Sequence, residues 1–219
     1  MKEPSGLAFA SVPAKFVKRI RQRKQPVQRR SQHTTEVLLE ATLQVLRRDG
    51  YAALTTTRVA ERAGVSVGTL YQYFPDKRSL VTALKVQYFE AMVGSVRAAA
   101  LEVVGAPLEV AFRRMLGALL RVKRDNLELS LALRAPMAEL GEDGFVRETS
   151  RAFIGVVCQF LEHAAPRVKE RERRATMLVA ALEGVISAAV FESPQWLSAE
   201  WFLDELLMLG LGYLRAARD

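Results

Sequence analysis

The chain has 219 residues, half of them apolar and about a quarter charged, with one cysteine and two histidines. One cysteine excludes an internal disulfide scaffold and any zinc site built from several thiolates. No unbroken apolar run reaches the roughly 18 residues of a membrane helix, and a core of one generous domain or two small ones is within reach.

The net charge is +8, and all of that excess sits at the start of the chain. Residues 1–33 carry nine basic side chains against one acid, while the rest balances at 23 of each. Such an asymmetry marks a tail that meets a polyanion, either nucleic acid or an anionic membrane surface, or else a solubilising extension.

Beyond the tail, helical spacing runs almost throughout, no strand-like alternation of useful length appears, and the class is all-α with about nine helices. The first helix is predicted from Thr34 to Asp49, capped by Thr34 or Thr35, with Val37, Leu38, Ala41 and Val45 on one stripe and Gly50 as its stop. Thr55 caps a short helix from Thr56 to Ala63, and Gly64 ends it. Ser66 caps a third, from Val67 to Phe74. Pro75-Asp76 breaks the chain, and Asp76 caps a long fourth helix towards Val104. Pro107 opens a fifth, with Leu108, Phe112, Met115, Leu116, Leu119 and Leu120 on one broad face. A helix from Asp125 to Leu140 carries Pro136, and residues 141–144 form a loop. Helices from Phe145 to Ala165, Glu170 to Glu192 and Ser198 to Ala217 complete the chain.

The chemistry concentrates in residues 55–77. Two short helices cross at a tight turn for which Gly64 supplies a positive φ. Ala60 sits at the crossing, and Val59, Val65 and Leu70 supply a small shared core. A second helix held in this way fits the DNA major groove, about 12 Å wide. Its N-terminus, Ser66 to Thr69, offers free backbone amides to phosphate. Gly68 permits close approach to a base or sugar. Tyr71, Gln72 and Tyr73 follow on the exposed side, where Gln72 can bond a base edge and the phenols can reach phosphate. Lys77 is placed for a further phosphate. Spacing alone also permits a plain helical corner, with Tyr71, Tyr73 and Phe74 as core.

Gly50-Tyr51, Thr55, the run Val59 to Ser66 and above all Gly68-Thr69-Leu70-Tyr71-x-Tyr73-Phe74-x-x-Lys77 resemble the TetR/AcrR family of bacterial transcription regulators. The resemblance is close over residues 34 to about 85; beyond that only length and helical character agree. It implies a cytoplasmic homodimer that acts as a transcriptional regulator, most readily a repressor, and is not an enzyme. Two N-terminal reading heads would bind a double-stranded operator, and a C-terminal domain would bind an effector that releases it. The implied division is a basic extension at 1–33, a DNA-binding domain at 34–80 and a ligand-binding and dimerisation domain at 81–219.

Carried over by position, Thr56 and Thr57 touch backbone or bases, with Arg58 beside them. Val67, Gly68 and Gln72 face bases, and Thr69, Tyr71, Tyr73 and Lys77 hold phosphates. Val67 and Gly68 are small and apolar, which shifts readout towards Gln72, Arg58 and DNA shape. The long basic tail also departs from many family members, and its arginines suit an adjacent minor groove.

In the C-terminal body, Met177 to Phe191 and Trp201 to Leu214 carry more apolar surface than one chain needs. That suggests a four-helix seam between two copies, with Ala181, Gly184, Ala188, Gly210 and Gly212 allowing close approach. Burial by the chain's own core is the alternative. Candidate walls of a pocket for a largely apolar effector are Phe112, Met115, Leu119, Phe153, Val157 and Phe160, residues that would serve equally as ordinary core. Arg134, His163 and Glu183 are candidate polar anchors, Glu183 being the sharpest because an unpaired buried carboxylate is costly. Cys158 reads as a small apolar core residue. No cofactor or metal pattern is present, and scattered carboxylates with two histidines offer no acid/base pair. The competing reading is a helical interaction protein whose tail binds a membrane surface.

Overall fold

The computed structural model describes residues 29–140 and 143–216. Among these the chain forms nine α-helices and no strand: α1 Arg29–Asp49, α2 Thr56–Ala63, α3 Val67–Tyr73, α4 Lys77–Glu102, α5 Leu108–Asp125, α6 Leu127–Leu140, α7 Asp143–Ala164, α8 Arg171–Glu192 and α9 Glu200–Ala216, with a 3-10 turn at Pro194–Ser198. The all-α class expected from helical periodicity is the architecture found. The basic extension before residue 29 lies outside the described residues.

Three short-range signals act as expected. Thr55 accepts a hydrogen bond from the Arg58 amide at 3.2 Å, and Ser66 from the Thr69 amide at 3.0 Å. Asp76 accepts from the Ser79 amide at 2.7 Å and starts α4. Each cap satisfies a backbone donor that the first helical turn leaves unpaired. Gly50 and Gly64 adopt φ of 76° and 68°, the left-handed stops that side chains with a Cβ rarely take.

Several boundaries shift, and two of the shifts change a predicted cap or loop. α1 already runs at Arg29, so Thr34 and Thr35 lie inside it and cap nothing. Residues 29–33 contain no proline or glycine, so the helix extends past both candidate caps. α7 starts at Asp143, so helix replaces the second half of the expected loop.

Two compact units divide the chain. One contains α1 to α3, α4 through Glu90, and α6. In it Leu38, Ala41, Val45, Leu54, Val59, Ala60, Leu70, Phe74 and Leu80 are buried. Arg47 reaches Glu128 of α6 at 2.6 Å, and the Tyr88 hydroxyl meets that of Ser130.

The other unit contains the rest of α4 from Ala91, with α5, α7, α8, the 3-10 turn and α9. α7 packs along α8, and α9 along α5. Arg113 pairs with Asp204 at 2.8 Å and Arg215 with Glu109 at 3.2 Å, so α5 and α9 run antiparallel. These pairs are exposed and contribute little energy. The close approach comes instead from Gly210, which lies against the Phe112 ring and 3.3 Å (measured from an ideal Cβ) from Leu178. Gly210 is therefore buried within one chain, a correction to its expected place on a seam between copies.

α8 contains an 18-residue window of mean hydropathy 1.6, long and apolar enough by length and composition to cross a bilayer. The expectation that no stretch reaches this level counted only unbroken runs, and Glu183 interrupts this one. Its inner face, including Leu178, Leu182, Ile186 and Val190, is buried as in a core helix.

Candidate nucleic-acid interface and effector cavity

α2 and α3 form the helix-turn-helix. Val59, Ala60 and Leu70 are fully buried at their crossing, and the Val65 amide bonds the Ala60 carbonyl at 3.0 Å to close the turn. Thr56 of α2 and Tyr71 of α3 share a hydroxyl–hydroxyl hydrogen bond of 3.1 Å, which fixes the phenol on the outer side of the pair. Tyr71 is 41% exposed. Gln72, Gly68, Thr57 and Arg58 are exposed as well.

Gly68 has an ordinary negative φ, and a Cβ there would meet only the Ser66 hydroxyl oxygen at 3.7 Å. The fold therefore does not require glycine at this position. Thr69 joins Ser66 at 2.9 Å. Lys77 stacks 4.6 Å over the Tyr51 ring centre and donates to the Tyr51 carbonyl at 3.4 Å. Arg58 donates to the Ala53 carbonyl at 3.0 Å, which turns it back along its own unit.

Tyr73 corrects one expectation. It is only 7% exposed and packs inward beside Phe74, not on the exposed side with Tyr71 and Gln72. One helical step of about 100° separates consecutive residues, so three in a row cannot share one outer face.

In the second unit a cavity of about 60 Å³ lies among α4, α5, α7 and α8. Phe112, Met115, Leu119, Phe153, Val157 and Glu183 are among its walls. Met92, Val96, Leu116, Lys123, Leu178, Val179, Leu182 and Ile186 complete the lining. Phe160 does not reach the cavity; it stacks behind Phe112, ring centres 6.2 Å apart. Arg134 is exposed on α6 in the other unit, and exposed His163 bonds the Gln159 carbonyl at 2.8 Å, so neither faces the cavity.

Among the wall residues that sequence reasoning missed, Lys123 is the charged one. It follows Leu119 by four positions and Met115 by eight, so it continues the stripe with a charge where an apolar residue belongs. Burial pulls its ammonium below the ordinary lysine range, and the Glu183 carboxylate acts in the opposite direction. Cys158 is half-buried, and burial pushes its thiol upward, reinforced by Glu172 and Glu162. Among the described residues no group of three or more acidic, histidine or cysteine side chains could hold a metal ion.

α8 and α9 also present an outer face. On α8, Met177, Ala180, Ala181, Gly184, Val185 and Ala188 are exposed at helical spacing. On α9, Trp201, Met208, Leu209 and Gly212 do the same. Met177 and Met208 are 57% and 63% exposed, high values for such large apolar side chains.

A model of the N-terminal domain of bacterial regulatory proteins of the tetR family matches residues 38–84. A tetracyclin repressor-like C-terminal domain model matches residues 107–214. The transcriptional repressor KstR of Mycolicibacterium smegmatis is 38% identical over 96 residues, 44% of this chain and 46% of that relative. The chain thus spans less than half the length of the curated relatives it matches first. A TetR-family regulator from Syntrophomonas wolfei shares the fold with a TM-score of 0.68 at 16% identity, covering 84% of this chain and 96% of that one. A TetR transcription regulator from Haloarcula marismortui aligns with a TM-score of 0.65 at 25% identity, over 85% and 98% of the two chains. The two family models together match well over half of the residues, one on each side of the α4–α5 connection. The chain belongs to the TetR family of bacterial transcriptional regulators.

Proposed function

We propose that the protein is a homodimeric, sequence-specific repressor that an effector releases from its operator. The observation that carries this reading is the α2–α3 pair. It is rigid inside, with three fully buried residues, and presents a polar outer edge with a glycine the fold does not need. Val67, Gly68 and Gln72 face bases in the major groove. Thr69, Tyr71 and Lys77 hold phosphates, joined by Thr56 and Thr57 from α2 with Arg58 beside them. Tyr73, being buried, serves the core of the head.

The exposed stripes of α8 and α9 join two copies. Small residues at Ala181, Gly184, Ala188 and Gly212 leave room for helices to approach, and the exposed methionines and Trp201 add apolar area. The cavity walled by Phe112, Met115, Leu119, Phe153, Val157 and Glu183 takes the effector. Release requires that the effector bind the operator-free state more tightly than the operator-bound one; it shifts the equilibrium by that difference and no more.

The test is selection of binding sites from random duplex DNA at about 0.2 M salt, where non-specific phosphate binding is weakened. An enriched two-fold-symmetric site is expected. Absence of enrichment with folded protein refutes the assignment of α3 as the reading helix. Affinity that depends only on residues 1–33, for DNA or for anionic vesicles alike, refutes it in favour of the tail.

A further inference from the structure

We infer that the cavity selects an uncharged, largely apolar molecule whose polar group is a hydroxyl, and that Lys123 and Glu183 together reject a charged head group of either sign. This rests on the reading of the cavity as the effector site and adds the chemistry of its occupant.

Among the described residues, the lining is apolar except at Lys123 of α5 and Glu183 of α8. Each interrupts an apolar wall. Lys123 follows Leu119 by one helical turn, and Glu183 follows Val179 by one turn. The two charges are opposite, so the lining as a whole is neutral. They also act on one another, the Glu183 carboxylate supporting the Lys123 ammonium against the pull of burial.

This pair decides the sign of the guest. A carboxylate entering the cavity gains from Lys123 and loses to Glu183. An ammonium meets the same pair with the signs exchanged. In both cases attraction and repulsion offset one another, and the cost of taking an ion out of water remains. A hydroxyl carries no such cost. It donates through its O–H and accepts at its lone pairs, so it can give to the carboxylate and take from the ammonium at once. Lys123 and Glu183 keep their contacts with the protein while doing so, because an ammonium has three donors and a carboxylate has several lone pairs.

The cavity of about 60 Å³ must widen to take such a guest. Its wall includes Met92 and Met115, whose unbranched side chains re-pack readily.

Titration calorimetry of the full chain with 1-octanol, octanoate and octylammonium at neutral pH and constant salt tests the inference. Octanol should bind at least about tenfold more tightly than either ion, since burying an uncompensated charge costs more than that factor. The charge variants give the sharper readout, because a merely apolar cavity would not change its preference between them. Lys123→Met leaves Glu183 as the charged wall residue, so octylammonium should gain at least about tenfold and octanoate should not. Glu183→Gln leaves Lys123, so octanoate should gain by a similar factor and octylammonium should not. Lys123→Met combined with Glu183→Leu should weaken octanol by about fivefold or more, the size of the hydrogen bonding it loses. Leu119→Trp, which fills the cavity, should remove binding of all three. Circular dichroism establishes that each variant is folded.

If either ion binds the unaltered protein as tightly as octanol and Leu119→Trp abolishes binding, the site stands and the uncharged-guest inference falls. If the two single charge variants do not shift the ions in opposite directions, Lys123 and Glu183 do not set the sign and the inference falls. Unchanged octanol affinity in the double variant overturns the hydroxyl assignment. If no probe binds, or binding survives Leu119→Trp in folded protein, the reading of the cavity as the effector site falls as well.

Discussion

Gly68 separates what the fold needs from what DNA needs. Its φ is ordinary, and an added Cβ meets nothing nearer than the Ser66 hydroxyl oxygen at 3.7 Å, so Gly68→Ala is free of strain. Replacing a helical glycine by alanine gains up to about 1 kcal/mol, which raises the melting temperature by about 2–4 °C in a chain of this size. Gly68→Glu is equally well accommodated in the free protein, because the position is exposed. Against DNA the same carboxylate, held at the base edges, lies in the field of the flanking phosphates. At a separation of about 6 Å the repulsion is about 0.7 kcal/mol in a water-like medium and about 3 kcal/mol at an effective dielectric of about 20. Two reading heads double this, so operator affinity should fall by at least about tenfold. The assay pairs fluorescence anisotropy on the selected operator at constant salt with thermal melting of the free proteins. Gly68→Glu that melts like wild type and still binds operator with wild-type affinity refutes the placement of α3 in the groove.

Other expectations follow from the same geometry. Gly210→Ala should destabilise by about 1 kcal/mol, because its methyl collides with the buried Phe112 ring and the neighbouring cavity relieves only part of the strain. Gly94→Ala, with nothing within 4 Å, should instead stabilise, and thermal melts of opposite sign check the pair. Tyr71→Phe removes the hydroxyl that bonds Thr56 and should weaken operator binding by about 1.5 kcal/mol or more per head while the fold survives, as anisotropy and circular dichroism would report. Ala181→Glu, exposed in the single chain, should convert a dimer to monomer in sedimentation; an unchanged dimer moves the seam elsewhere. The Cys158 thiol, raised by burial, should alkylate more slowly than a free thiol at neutral pH and accelerate only as pH rises further.

What the sequence determined by itself is local. A cap at Thr55, Ser66 or Asp76 is one hydrogen bond to an amide three residues on, and the positive φ at Gly50 and Gly64 belongs to single residues. Such terms depend on near neighbours in the chain, so the helix-turn-helix was legible, and its ordered residues carried the family resemblance. Five expected wall residues and Glu183 also meet at one cavity, because a helical stripe of large apolar residues has to be buried somewhere. Tertiary structure decided the sidedness. Tyr73 turned inward, Phe160 fell behind Phe112, Gly210 served a contact within the chain, and Arg134 belonged to the other unit. Each outcome depends on which helix lies alongside, and helical period fixes a residue's direction on its own helix but not the neighbour it meets. Lys123 is the sharpest instance. On its own helix it reads as one more surface charge, and only the packing of α4, α7 and α8 around α5 turns it into a charged wall residue of an apolar cavity.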